Sequence, residues 1–296
     1  MKPFIPTALS LEEAVLAALA YSDLFAHPLT VKEVWFWLPK EAPLKEVGQS
    51  LARLVKRRKI YYSSPFYFLS DRAVIDLRQK KQAFSRKKMF RAEKLGQKLA
   101  CLPWVGLVAI SGNLAISAAE ENDDIDFFII ALPGCLYRAR LASVLLAEIF
   151  GQRRRPGEKE AANKICLNLF LEKDNLSLPR TRQDFYTAHE ALQLLPIAGD
   201  HDLYQQFLLS NSWLANYLPQ AYRKRLEKGS LVVSPILKNE VDFLERMAMF
   251  GQSIYAKAHQ RQLVADNKRQ LFFHPQDQRQ PVLVRFQKTY QKLIMS

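Results

Sequence analysis

The sequence predicts a mixed α/β chain of the α+β kind, built in consecutive parts. Three observations predict it. Residues 1–71 hold three segments with apolar positions at helical spacing, followed by two short β-type runs. Residues 104–180 alternate β-type runs with helical stretches around polar corners, the pattern of a small mixed sheet. Residues 181–296 return to helical spacing, and residues 72–103 join the first two parts as one basic segment.

With 296 residues, 49% of them hydrophobic, the chain can bury a sizeable core. A formal charge of +14 points to a polyanionic partner, whether DNA, RNA, a nucleotide or an anionic surface. The opening MKPFIPTALSLEEAV lacks a basic start with an apolar core behind it, and no run approaches about 18 uninterrupted apolar residues. The expectation is a soluble, cytoplasmic protein with no membrane partner. Cys101, Cys135 and Cys166 are far apart, match no zinc-ligand spacing and read as buried free thiols.

In the first part, Ala14, Val15, Ala18, Leu19 and Phe25 give a helix over 11–25, closed by His27-Pro28. Thr30 with Glu33 three residues on is a capping box that opens a short helix ending at Pro39. A third helix over 43–59 places Leu44, Val47, Leu51, Leu54 and Val55 inward. Two β-type runs around Ser63-Ser64-Pro65 then complete a winged-helix pattern. Lys45, Gln49, Arg53 and Arg57 are the candidate nucleic-acid contacts of the third helix. Docking to a protein, with the bases only complementing the helix dipole, is the other reading of this unit.

The segment 72–103 carries ten Lys and Arg residues against Asp76 and Glu93, with enough apolar positions to seat one face. A solvated cationic face is the simplest expectation.

The stretch 107–131, LVAISGNLAISAAEENDDIDFFIIA, carries the chemistry. A β-type run ends in the corner Ser111-Gly112-Asn113, a short helix is expected over 114–120, and a second β-type run carries Asp124 and Asp126. Alternate strand residues share a face, so the two carboxylates stand close enough to share a cation. A solvated turn explains residues 120–123, but not Asp126, which has Ile125 before it and four apolar residues after it. A helix over 134–150, with Leu141, Val144, Leu145 and Ile149 inward, leads through a basic link, Arg153 to Gly157, to a strand over 164–172.

These residues resemble the nucleotidyltransferase domain of the DNA polymerase beta-like superfamily. Its motif is a hydrophobic strand ending in Gly-Ser or Gly-Gly, about ten residues, then Asp-hydrophobic-Asp/Glu-hydrophobic. Here it stands as Gly112-Asn113, residues 114–123, then Asp124-Ile125-Asp126-Phe127. The resemblance covers 105–178 and implies transfer of a nucleoside monophosphate from a nucleoside triphosphate to a hydroxyl acceptor. It implies Ser111, Gly112 and Asn113 as the nucleotide-binding corner and Asp124 and Asp126 as ligands of Mg2+ or Mn2+. Active members use a third carboxylate from a neighbouring strand, and alternation over 164–172 puts Asn168 at that position. Glu172 and Asp174 could replace it only if the register allowed. The alternative that Asn113 and Asn168 keep open is a catalytically degenerate fold serving as a nucleic-acid-binding or regulatory, antitoxin-like protein.

In the last part, helices are expected over 181–195, 202–218, 237–263 and 282–294, with a polar loop at 265–281. Tyr186, His189, Glu190 and Trp213 are candidates for an acceptor or base pocket, although such residues at helical spacing are more often core.

Overall fold

A computed structural model describes residues 9–69, 73–151, 153–155, 158, 162–227, 242–258, 269–272 and 278–295, as a mixed α/β protein. The first unit comprises α1 (Leu11–Asp23), β1 (Leu29–Thr30), α2 (Val31–Phe36), α3 (Leu44–Lys56), β2 (Tyr61–Ser63) and β3 (Phe66–Phe68). The expected capping box at Thr30 forms, and a second one stands at Ser10. The Ser10 hydroxyl accepts from the Glu13 N–H, and the Thr30 hydroxyl accepts from the Glu33 N–H. Residues 14–21 of α1 are buried on every side, so this helix is the centre of its unit. The strands form an antiparallel sheet in the order β1-β3-β2. β1, two residues long, is too short to leave a periodic signal in the sequence.

α4 (Ala73–Ala100) is the long basic helix. Its charges are not all solvated. Arg78 ion-pairs Glu33 at 2.6 Å and donates to the Pro28 carbonyl, while Lys81 donates to the Phe25 carbonyl and pairs with Glu120. Lys88, 2% exposed, reaches the loop before Asp124. The inward bases therefore fasten α4 to both neighbours, which corrects the expectation of a uniformly solvated face.

The second sheet contains β4 (Val105–Ile110), β5 (Ile125–Ala131), β6 (Ile165–Glu172), β7 (Leu195–Gly199) and β8 (Gln270–Phe272). Its order is β7-β4-β5-β6-β8, with β5 and β6 parallel and the other pairs antiparallel. β7 and β8 come from the part expected to be helical, so the sheet draws on residues well beyond 180. The expected loop 265–281 supplies β8, and residues 273–277, with the Phe273-His274-Pro275 run, lie outside the described residues. Pro196 and Gly199 read as breakers and so hide β7. One face of the sheet packs on Ala92, Leu95 and Leu99 of α4 and on α6 (Leu136–Ile149). The other packs on α7 (Phe185–Gln193) and α8 (Asp202–Ser210). Between β4 and β5 sits a single turn, α5 (Gly112–Ala115), shorter and earlier than expected. After α8 come α9 (Pro219–Leu226), α10 (Phe243–Ala258) and α11 (Arg279–Met295). The expected helix over 237–263 is thus described only as α10.

The inward face of α6 differs from expectation. Leu141, Leu145 and Ile149 are exposed, Ile149 by 79%, and the buried stripe is Ala139, Ser143 and Ala147 with Tyr137 and Arg140. Small residues let α6 lie close to its neighbours. Polar ties complete the seam, since Arg140 donates to the Gln252 side chain of α10 and Gln252 donates back to the Tyr137 carbonyl. Among the described residues no helix is long and apolar enough to cross a membrane.

Candidate functional site

The site is built where β4, β5 and β6 end together. β5 begins at Ile125, whose N–H donates to the Lys164 carbonyl, so Asp124 is the last residue of the preceding loop rather than a strand residue. Asp126 is the first side chain on the strand face that continues with Phe128 and Ile130. The parallel register sets Cys166 opposite Asp126. One ligand atom each of Asp124, Asp126 and Cys166 lies within 4.8 Å of the others, the group that a shared cation would require.

The register also decides the place of Asn168. β5 and β6 pair Phe127 with Leu167 and Phe128 with Leu169, so Asn168 is the extra residue of a β-bulge. Its side chain lies outside the described residues. The backbone pairs Cys166, and not Asn168, with Asp126. Glu172 pairs with Ala131 at the far end of β5, about 16 Å away by strand rise. There it accepts from the Gly134 N–H and faces Arg269. The register therefore keeps it from the aspartates.

The corner closes over Asp126 from β4. The Ser111 N–H donates to the Asp126 carbonyl at 3.0 Å, and its hydroxyl points to the same oxygen at 3.4 Å. Gly112 has φ +63°, and a Cβ built there would stand 3.0 Å from Asp126 Oδ2. The Asn113 amide donates to Asp123 Oδ2, which also accepts from the Glu120 N–H. Asn113 thus shapes the acidic loop. Gly112→Ala is expected to cost about 1–2 kcal/mol, from a left-handed backbone and a crowded carboxylate. Urea unfolding of the two proteins checks this, and an unchanged midpoint would contradict it.

Electrostatics at the site oppose the carboxylate charges. Burial, then the neighbouring Asp124, lifts the Asp126 carboxyl from 3.8 to about 7. Glu190 on α7 senses the same field; burial and then the charge of Asp126 raise it to about 7, against a hydrogen bond from Gln193. Cys166 is pushed well up by burial and by both aspartates, so its thiol is neutral. Arg154 supplies partial relief, with Nη1 2.5 Å from Asp124 Oδ2 and its N–H on the Ile165 carbonyl.

The structure gathers Ser111, Gly112, Asn113, Asp124 and Asp126, and adds Cys166, Arg154 and Glu190. The sequence marks Cys166 only as a buried thiol and Arg154 only as part of a basic link; no local signal points to either, because Cys166 arrives through strand register and Arg154 from the loop between α6 and β6. Glu190 joins the site, but His189 does not. It stacks on Tyr21 at 3.8 Å in the core, where burial lowers its pKa to about 3. Trp213 donates to the Asn211 side chain and Tyr186 packs against the main core. Lys45, Gln49 and Arg53 on α3 and Arg57 at its C-terminal cap are exposed, and Arg53 and Arg57 both ion-pair Glu12, at 3.2 and 2.8 Å.

No family model, curated protein or solved structure matches the chain.

Proposed function

We propose that the chain is a nucleotidyltransferase that moves a nucleoside monophosphate from a nucleoside triphosphate to a hydroxyl acceptor, with Asp124 and Asp126 holding Mg2+ or Mn2+. The observation that carries this reading is the pair of neighbouring aspartates, one of which, Asp126, stands close against the bare Cα of Gly112. Two adjacent carboxylates suit a hard dication that keeps its other positions for water and phosphate oxygens. The neutral Cys166 thiol adds no hard donor. Such an ion supplies charge neutralisation at the triphosphate and acidifies the attacking hydroxyl. The chain itself orients and makes room. Asp126 releases its proton when a cation arrives, and Gly112 lets a phosphate approach the backbone. Ser111 fixes the corner to β5. In this reading residues 105–178 belong to the DNA polymerase beta-like superfamily and residues 1–71 are its winged-helix partner; α1–α3 followed by the β2–β3 hairpin supports the latter.

A second reading has its own observations. Cys166 stands in register where a third carboxylate is expected, and Arg154 already neutralises Asp124. Both favour a degenerate fold that binds nucleotide without transferring it. Isothermal titration of the four triphosphates with magnesium tests the shared part. Binding that needs magnesium and disappears in Asp124→Ala/Asp126→Ala supports it; unchanged binding in that variant overturns it. Incubation with α-phosphate-labelled triphosphates and pooled acceptors then separates the readings, since only a transferase labels an acceptor.

A further inference from the structure

Eight of the nine bases of α4 sort into two sets by helical phase, with Arg86 in neither. Arg78, Lys81 and Lys88 point inward and are consumed by partners. Lys80, Lys87, Arg91, Lys94 and Lys98 are all exposed and recur at intervals of seven, four, three and four residues, which keeps them on one flank. That flank runs for about 27 Å at 1.5 Å per residue. Among the described residues no carboxylate pairs with any of the five, whereas Arg53, Arg57, Arg138, Arg153 and Arg155 elsewhere all have acidic partners. Like charges at i, i+4 repel by a few tenths of a kcal/mol per pair, so the stripe is a standing electrostatic cost until an anion covers it. Two aromatic rings lie along it. Lys94 sits over Phe90, itself 60% exposed, and Lys98 over Phe150 at 3.6 Å.

We propose that this flank of α4 is the track for the sugar-phosphate backbone of a nucleic acid, which is the hydroxyl acceptor of the transfer. The second half rests on the transferase reading above; the first does not. The helix that carries the stripe is fastened to the candidate site from its inward side, where Lys88 holds the loop that ends at Asp124. Its length matches about eight backbone steps of one strand at 3.4 Å each. Phe90 and Phe150 offer faces on which unpaired bases stack. RNA and DNA share the backbone chemistry, so the probes must separate them.

The test is fluorescence anisotropy with labelled strands of about 20 nucleotides, as duplex DNA, duplex RNA and single-stranded RNA, from about 50 to about 200 mM salt. Lys87→Gln/Arg91→Gln/Lys98→Gln is expected to weaken binding at least about tenfold and to lower the slope of log K against log salt by about 2–3. Lys45→Gln/Arg53→Gln/Arg57→Gln should change affinity less than about threefold, because two of those arginines are already paired. The track is overturned by absence of binding to all three probes, by a slope carried on α3, or by stripe-dependent binding to phosphatidylserine vesicles alone. Asp124→Ala/Asp126→Ala should keep nucleic-acid affinity while losing triphosphate. If that variant keeps both, the transferase reading fails and the track stands. Transfer of label to the bound strand that persists undiminished in the α4 variant removes the acceptor assignment.

Discussion

Asp126→Asn is expected to make the protein more stable at pH 8 while abolishing magnesium-dependent triphosphate binding. In the folded chain the Asp126 carboxyl titrates at about 7 because burial and Asp124 disfavour its charge. In the unfolded chain it returns to its ordinary range near 3.8. Folding therefore takes up a proton between these values. The unfolded state binds fewer protons there, so stability falls as pH rises from about 4 to about 7 and stays low above that. At pH 8 the native state carries the full cost of an unwelcome charge, on the order of 4 kcal/mol. An amide of the same shape avoids it. At pH 4 the folded state holds the protonated acid and the two proteins should unfold nearly alike. Urea unfolding at pH 4, 6 and 8 without divalent ions measures the difference, and added magnesium should narrow it at pH 8 by binding only the folded aspartate form. An asparagine variant less stable than the parent at pH 8 sinks the idea that the site is built to receive a cation. Glu190 moves in the same sense, and without the charge of Asp126 its carboxyl should come down only part of the way, because burial, the larger cause, remains.

What the sequence discloses about this site divides along a physical line. Asp124, Asp126 and Gly112 are legible because each signals locally. Two acids one residue apart in an apolar run are costly anywhere but at a cation, and glycine at a strand end marks a close backbone approach. Cys166 and Asn168 are not assignable from the sequence, because the partner of Asp126 is set by the register of β5 against β6, and the bulge at Asn168 inverts the facing of every later side chain in the strand. Arg154 pairs with Asp124 from a loop, and Glu190 feels the charge of Asp126 from a helix more than sixty residues beyond it, distances over which periodicity carries no information. The same limit explains α6. Its large apolar residues read as the inner face, yet the buried stripe is the small one, a choice made by packing against the sheet and α10. In α4 the total charge is visible, but not the partition into ties and a stripe, which emerges only once partners are in place.

The tie with the largest consequence is Lys88. Its ammonium donates to the Glu121 carbonyl at 2.9 Å, to the Asp123 carbonyl at 2.6 Å and to Asn163 Oδ1 at 3.3 Å. Those acceptors bracket the approach to Asp124, and Asn163, at φ +60°, returns its own N–H to the Asp123 carbonyl. Burial lowers the Lys88 pKa, and the nearby charges of Asp123 and Asp124 work against that. Lys88→Met keeps the buried stem and removes only the charged head. The Glu121 carbonyl and the Asn163 amide oxygen then lose the ammonium, and the Asp123 carbonyl keeps only the Asn163 N–H, at an expected cost of about 2–4 kcal/mol. The loss should not be confined to stability. With its anchor gone the loop no longer fixes Asp124 beside Asp126, so manganese affinity, read by electron paramagnetic resonance, should drop by tenfold or more in protein that is still folded. Lys87→Met, one residue away and exposed, should alter stability by less than about 0.5 kcal/mol and leave manganese binding untouched. If Lys88→Met lowers stability but leaves manganese affinity unchanged, Lys88 only closes the core, and Asp124 is held in place by Arg154 from the other side.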